Sequence, residues 1–300
     1  MSKIPDNRAL VLLNIPGTHD STAYNMFCLG SCFAKTQDLD ITSQLNIGVR
    51  LFDIRVTKRN NFFENNFMES IICCHGICDC YHYQNNKKIN LTYLHVLKEI
   101  KNFLEENPSE TVIIKTKSGR SNKTINLQIA SEIFDTILGD ISVEYDDKLT
   151  MGKLRGKVVN IFSDNNNIEG TDIISIHNKY TNGYTNFNEF KVNGDLKVRE
   201  IEELLEKYNY KFDEAEQYMK LPLHFETSCT GEFTKIIPLP RYEANTVNKF
   251  LREYNFRNGY YYGWISIDFI DEMITEKIIK SNFNENILFI NDIIIDSFDL

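Results

Sequence analysis

Three hundred residues with 42% apolar and 12% aromatic side chains can bury a substantial core, either as one large α/β domain or as two smaller ones, and exclude a disordered chain. The net charge of −9, from 42 acidic against 33 basic side chains, argues against a nucleic-acid partner and against membrane docking through a polybasic face, which leaves apolar or aromatic insertion. No stretch approaches the roughly 18 apolar residues of a transmembrane helix, and the opening residues lack a secretory signal. The expectation is therefore a soluble chain, cytoplasmic or peripheral on a membrane, with export open only if a leader has been removed.

In chain order, Ala9–Leu13 reads as a first strand that ends at a Pro16-Gly17 turn before His19 and Asp20. Val49–Ile54 and Ser70–Cys74 are the next two strands. Thr92–Leu104 repeats apolar positions three and four apart and stops at Asn107-Pro108, the mark of an amphipathic helix. Strands follow at Thr111–Ile114, Lys157–Phe162, Asp172–Ile176, Leu221–Phe225, Trp264–Asp268 and Ile287–Ile290, with weaker helical patterns at Thr124–Leu138, Val198–Tyr208 and Asn245–Tyr254. The asparagine clusters, Asn85-Asn86 among them, read as surface loops. Short, continuous apolar strands alternating with helices, with no linker and no repeat, predict a single domain over residues 1–300. Its architecture is an irregular TIM (β/α) barrel, a doubly wound sheet remaining open on periodicity alone.

A barrel gathers the polar residues past its strand ends at one mouth. Those residues are His19 and Asp20, Asp53 and Arg55, His75, Lys115 and Lys117, and Asp268. Two imidazoles can divide a phosphodiester cleavage between them, one as base and one as acid, because a value near 6.5 makes both states accessible. Asp20 and Asp268 are natural carboxylate partners, and Arg55 can clamp phosphoryl oxygens. Taken singly each has a plainer reading: Asp53 and Arg55 as a salt bridge, Asp268 as the cap of a helix beginning near Ile270, and His82 as a competitor to His75. The seven cysteines include Cys28 with Cys32 and a group of Cys73, Cys74, Cys78 and Cys80. No zinc spacing is present, so reduced thiols are expected, with a local disulfide or acylation as the alternatives.

These residues sit in blocks, IPGTHDS at 15–21, QLNIGVRLFDIR at 44–55, HG at 75–76, FLEENPSETVII at 103–114 and RGKVV at 155–159. In that order they resemble the X domain of the bacterial phosphatidylinositol-specific phospholipases C over roughly residues 10 to 162, with GWISIDF at 263–269 resembling a late barrel strand. The resemblance implies that His19 is the general base on the inositol 2-hydroxyl, that His75 is the acid toward the glyceryl oxygen, and that Asp268 orients the base. It further implies that Asp20 assists on the leaving-group side, that Arg55 holds the phosphoryl charge, and that the product is a cyclic inositol phosphate. Inositol contacts would come from Lys117, with Lys115 as competitor, and from Asn178 and Tyr180. Asn178 replaces a family carboxylate, and a family arginine after RGKVV is absent. Because calcium-dependent relatives carry an acidic residue at the Arg55 position, no metal and no cofactor is expected. The partner would be phosphatidylinositol, or a related or glycosylated inositol lipid, at a membrane interface. Phe62-Phe63 and Phe67-Met68 are the better candidates for touching it, and Tyr260–Trp264 reads as internal packing. A non-catalytic lipid-binding barrel and a metal-dependent glycerophosphodiesterase are the competing readings.

Overall fold

The computed structural model describes residues 1–27, 34–59, 67–120, 123–163, 193–218, 223–229, 240–284, 287–290 and 293–296. Strand β1 (Ile15–Thr18), helix α1 (Ile41–Asn46) and strand β2 (Leu51–Lys58) come first. Four short strands follow, β3 (Ile71–His75), β4 (Cys78–Asp79), β5 (Tyr81–Gln84) and β6 (Lys87–Asn90), leading into α2 (Tyr93–Glu106). Next are β7 (Thr111–Ser118), α3 (Lys123–Leu138), β8 (Ser142–Glu144), α4 (Met151–Leu154) and β9 (Lys157–Ser163). The later elements are α5 (Gly194–Lys207), β10 (Tyr210–Lys211), α6 (Phe212–Tyr218), β11 (His224–Glu226), α7 (Pro240–Glu253), β12 (Tyr260–Tyr261), β13 (Trp264–Ile267) and α8 (Glu272–Lys280). A hairpin of β14 (Ile287–Ile290) and β15 (Ile293–Asp296) ends the described chain.

The main sheet runs β11-β13-β1-β2-β7-β9-β8, and each neighbouring pair along it is parallel. With helices between its strands this is an irregular (β/α) barrel, as expected, whose described strands do not close between β8 and β11. Strand alternation sorts the side chains. On β2, Phe52, Ile54 and Val56 point outward under the helices, while Leu51, Asp53 and Arg55 point inward. The register carries the same pattern into β7, where Asp53 pairs with Lys115 and Arg55 with Lys117. Helix α2 covers the outside. Thr92 accepts a hydrogen bond from His95 N, and Tyr93, Val96, Leu97, Ile100 and Leu104 form its buried stripe. Burying each such side chain contributes on the order of 1.5–3 kcal/mol, and Pro108 ends the helix by disfavouring helical geometry at Asn107.

Several expectations need correcting. Ala9–Leu13 is not a strand: Leu10–Leu12 forms a buried 3-10 turn at the bottom of the barrel, bonded through Leu10 N to Leu149 O. The strand is Ile15–Thr18, so Pro16 and Gly17 lie inside it rather than in a turn. Pro16 is tolerated because the β1–β2 pairing begins only at Gly17, and Gly17 is required because a Cβ there would lie 2.9 Å from Leu51 Cβ. Ser70–Cys74 contributes β3, but β3 runs antiparallel to the outer end of β2. Asn85 and Asn86 (φ 50° and 62°) form the tight turn of the β5–β6 hairpin, where two consecutive left-handed residues match the twist of the strands. Helices α5 and α7 begin earlier than their apolar patterns indicated, and Asp172–Ile176 lies outside the described residues. Cys73, Cys74, Cys80 and Cys229 are free buried thiols, but Cys78 is disulfide-bonded, contrary to the reduced-thiol expectation. It packs with Ala23, Met26 and Ala34, which brings β4 against the segment that follows β1.

Candidate active site

The THDS stretch divides into two catalytic candidates and two structural hydroxyls. Thr18 Oγ1 donates to Gln44 Oε1, Asp53 N donates to Ser21 Oγ, and Ser21 N donates to Asp53 O, which ties the loop after β1 to β2. Between these anchors Asp20 adopts a left-handed backbone (φ 43°), and Phe269, beside Asp268, does the same (φ 50°). Such residues cost about 1–3 kcal/mol and persist only where the surroundings hold them. Two buried amides do so. Gln37 Nε2 donates to His19 O and Ile267 O, and Asn248 Nδ2 donates to Asp268 O and Phe269 O, each at 2.9 Å.

His19 Nδ1 lies 2.9 Å from Asp268 Oδ1, so its Nε2 faces inward. There it meets Arg55 Nη2 at 2.9 Å and Asp20 Oδ2 at 3.3 Å. Asp20 bridges the group: Oδ1 pairs with Arg55 Nε at 2.5 Å and Oδ2 lies 3.1 Å from His75 Nε2. His75 Nδ1 donates to Ala34 O at 2.6 Å. Since a carbonyl can only accept and Nε2 faces a carboxylate, this geometry suits a doubly protonated ring. The imidazole centroids are 6.3 Å apart and nearly perpendicular.

Opposing influences meet at His19. Burial favours the neutral ring, but the Asp20 and Asp268 carboxylates outweigh it and raise the imidazole to about 9. Burial pushes Asp268 up, partly offset by His19. Asp53 is held well below the ordinary range despite its burial, because Lys117, Arg55 and Lys115 surround it. Lys117 Nζ sits 3.1 Å from Asp53, and although burial pulls its value down, Asp53 and Glu226 raise it.

The structure therefore brings His19, Asp20, Arg55, His75, Asp268 and Lys117 to one mouth. Arg55 is also 3.7 Å from Asp53, so the plain salt-bridge reading is met only loosely. Asp271, not Asp268, caps α8. His82 is elsewhere, its ring 4.0 Å from that of His95 between centroids and tilted by 42°. Asn178 and Tyr180 lie outside the described residues. Tyr261, Tyr262 and Trp264 are buried at the opposite end, where Tyr261 OH donates to Val11 O. Sequence reasoning missed Glu226, whose Oε1 is 3.8 Å from both Lys115 and Lys117. Burial and neighbouring Lys117 push Lys115 down to about 8, against Glu226 and Asp53.

A parallel α/β barrel whose mouth joins two imidazoles through one carboxylate, beside a fixed guanidinium, defines an acid-base site suited to phosphodiesters. Comparison with known proteins gives the family. Residues 13–161 match the model of the phosphatidylinositol-specific phospholipase C X domain, and the chain belongs to that family. It is 31% identical over 133 residues to a 1-phosphatidylinositol phosphodiesterase of Listeria monocytogenes, an alignment covering 43% of this chain and 36% of that protein. A second 1-phosphatidylinositol phosphodiesterase, from Staphylococcus aureus, is 27% identical over 232 residues, 69% of each chain. The fold resembles the solved phosphatidylinositol-specific phospholipase C of S. aureus, with TM-score 0.68 at 22% identity over 94% of this chain and 96% of that one. The L. monocytogenes structure gives TM-score 0.64 at 21% identity over 94% and 97%.

Proposed function

We propose that this protein is a phosphatidylinositol-specific phospholipase C, one catalytic domain over residues 1–300, that cleaves its lipid to diacylglycerol and a cyclic inositol phosphate. The observation that carries the reading is the Asp20 bridge between His19, His75 and Arg55, with Asp268 behind His19. In its neutral form His19 Nε2 takes the proton of the inositol 2-hydroxyl as that oxygen forms a bond to phosphorus. The bond from phosphorus to the glyceryl oxygen breaks, and His75 Nε2 delivers the proton that leaving oxygen needs. Arg55 neutralises charge on the phosphoryl oxygens, a term that dominates catalysis when it is fixed in advance. Lys117 and Asp53 bind ring hydroxyls beside it.

These steps need no metal. His19, Asp20 and Asp53 offer ligand atoms within 4.8 Å of one another, but Arg55 and Lys117 already pair with those carboxylates, and a divalent ion would meet both cations.

The site works at a lipid surface. Among the described residues no helix is long and apolar enough to cross a membrane. Among the described residues the exposed large apolar side chains gather at the mouth end: Phe27, Phe67 and Ile77 lie on connections past strand ends, and Tyr83 lies on the β5–β6 hairpin. Ile125, Leu196, Tyr242 and Met273 occupy the first turns of α3, α5, α7 and α8, whose opposite ends lead down to the starts of the next strands. Diacylglycerol release from phosphatidylinositol in detergent micelles, measured with EDTA present, tests the reading. Turnover should persist in EDTA and fall by at least about 100-fold in His19→Ala and in His75→Ala; EDTA-sensitive turnover, or activity in either variant, contradicts it.

A further inference from the structure

A cavity lies outside this site. It has a volume of about 540 Å³, within the range of small-molecule sites, and opens between the β5–β6 hairpin, the turn at Phe67–Glu69 and the first turns of α2. Arg59, Lys88, Lys98, His82 and His95 line it, against Glu69 as the acidic lining residue. In a chain of net charge −9 this is a concentration of positive charge with a shape. The His82 and His95 rings lie 4.0 Å apart between centroids, tilted by 42°, and burial together with its neighbour His95 keeps His82 below its ordinary value. An anion seated between them would reverse that repulsion. The fourteen-residue helix α2 adds the positive end of its dipole, with Thr92 and Leu94 in the wall.

The sequence builds this cavity from a hairpin with a definite facing. Register pairs His82 with Ile89 and Tyr83 with Lys88, so the two pairs occupy opposite faces. His82 and Ile89 turn toward α2, while Tyr81 and Tyr83 hold the Lys88 ammonium at 4.7 and 5.9 Å from their ring centroids, at the rim. Beside them His95 Nε2 is 3.5 Å from Glu99 Oε1. The position is also suggestive. Arg59 directly follows β2, which carries Asp53 and Arg55, and Glu69 directly precedes β3, which ends in His75. The cavity therefore stands on the mouth rim without sharing a residue with the candidate active site.

We propose that this cavity is a non-catalytic site for a phosphate group of headgroup size, carried either by a neighbouring anionic lipid or by a soluble phosphate ester. Lys98, with Lys88 at the rim, supplies the charge, and the His82 and His95 rings supply further donors. The inference stands independently of the phospholipase reading, since it is read from binding.

The test follows the His82 and His95 ring resonances by NMR in the full chain. One arm titrates glycerol 1-phosphate, and the other adds phosphatidylcholine vesicles with and without phosphatidic acid. A saturable shift of both rings is expected in at least one arm, weakened at least tenfold by Lys98→Glu, which alters an exposed helix position, and unchanged by Lys280→Glu at the far end of α8. A response to the soluble ester alone assigns the site to soluble phosphates, and a response to phosphatidic acid vesicles alone assigns it to lipid. Absence of a saturable shift in both arms, or an unaltered shift in Lys98→Glu, overturns the proposal. Neither result depends on turnover, so a catalytically inert protein could still possess this site.

Discussion

The two ends of the barrel interior are built on different principles. At the lower end Leu51, Ile113 and Val159 stand in register across β2, β7 and β9, with Ile15 and Trp264 beside them, all buried and apolar. Two residues further along the same strands stand Asp53 and Lys115, and two further Arg55 and Lys117. Complementary shape suffices below. Above, every buried charge needs an opposite one, because an unpaired ion in the interior costs several kcal/mol. The lesson is that the ionic end is stable as a set and fragile singly, whereas the apolar end loses stability in proportion to the volume removed.

The largest effect should come from breaking the set at Arg55. Arg55→Met leaves Asp20 without its guanidinium, so we expect turnover to fall by at least about 100-fold and stability to drop by about 3–5 kcal/mol, measured by micelle assay and urea unfolding. Leu51→Ala at the lower end should cost about 2–5 kcal/mol of stability with turnover per folded molecule unchanged; a selective loss of catalysis there would erase the contrast.

Next comes the pH profile. His19 must be neutral to act as a base, so a raised value moves the rising limb of kcat/KM upward, from the ordinary 6.5 toward about 9. Asp268→Asn removes one of the carboxylates that raise it. The limb should move to lower pH in that variant even as the maximum falls, and an unmoved limb would detach Asp268 from His19.

The pairing of Glu226 with Lys115 predicts compensation. Glu226→Gln alone leaves two neighbouring ammonium groups facing less negative charge, so it should destabilise the fold, while Lys115→Met combined with Glu226→Gln should recover most of the loss. Additive losses in thermal unfolding would show that the two do not interact. The smallest effect belongs to the outer surface. Ile77→Glu, on the exposed turn two residues after His75, should weaken binding to phosphatidylcholine vesicles several-fold without altering stability, whereas Lys153→Glu on α4 should leave vesicle binding unchanged.

The same contrast explains what the sequence revealed. Strand alternation places Asp53 with Arg55 and Lys115 with Lys117 on the inward face once the apolar runs are recognised as strands, and the catalytic candidates follow directly from the strand ends. Glu226 escaped because β11 is only His224–Glu226 and its apolar pattern gives out at Phe225. Gln37 and Asn248 escaped because a side-chain amide that clamps a distant backbone leaves no local pattern. Ala9–Leu13 misled for the opposite reason: a run of buried apolar residues records burial, and its backbone here is a 3-10 turn. Asn85-Asn86 was legible as a surface turn, but the short strands it joins, Tyr81–Gln84 and Lys87–Asn90, were not, because neither carries an apolar run.

Phosphorus NMR of the purified protein turning over phosphatidylinositol in micelles with excess EDTA tests the central claim most directly. Attack by the 2-hydroxyl under His19 and His75 predicts a cyclic inositol phosphate as the first product, absent with either histidine replaced by alanine. An acyclic inositol phosphate appearing first, with no cyclic species preceding it, would contradict the mechanism.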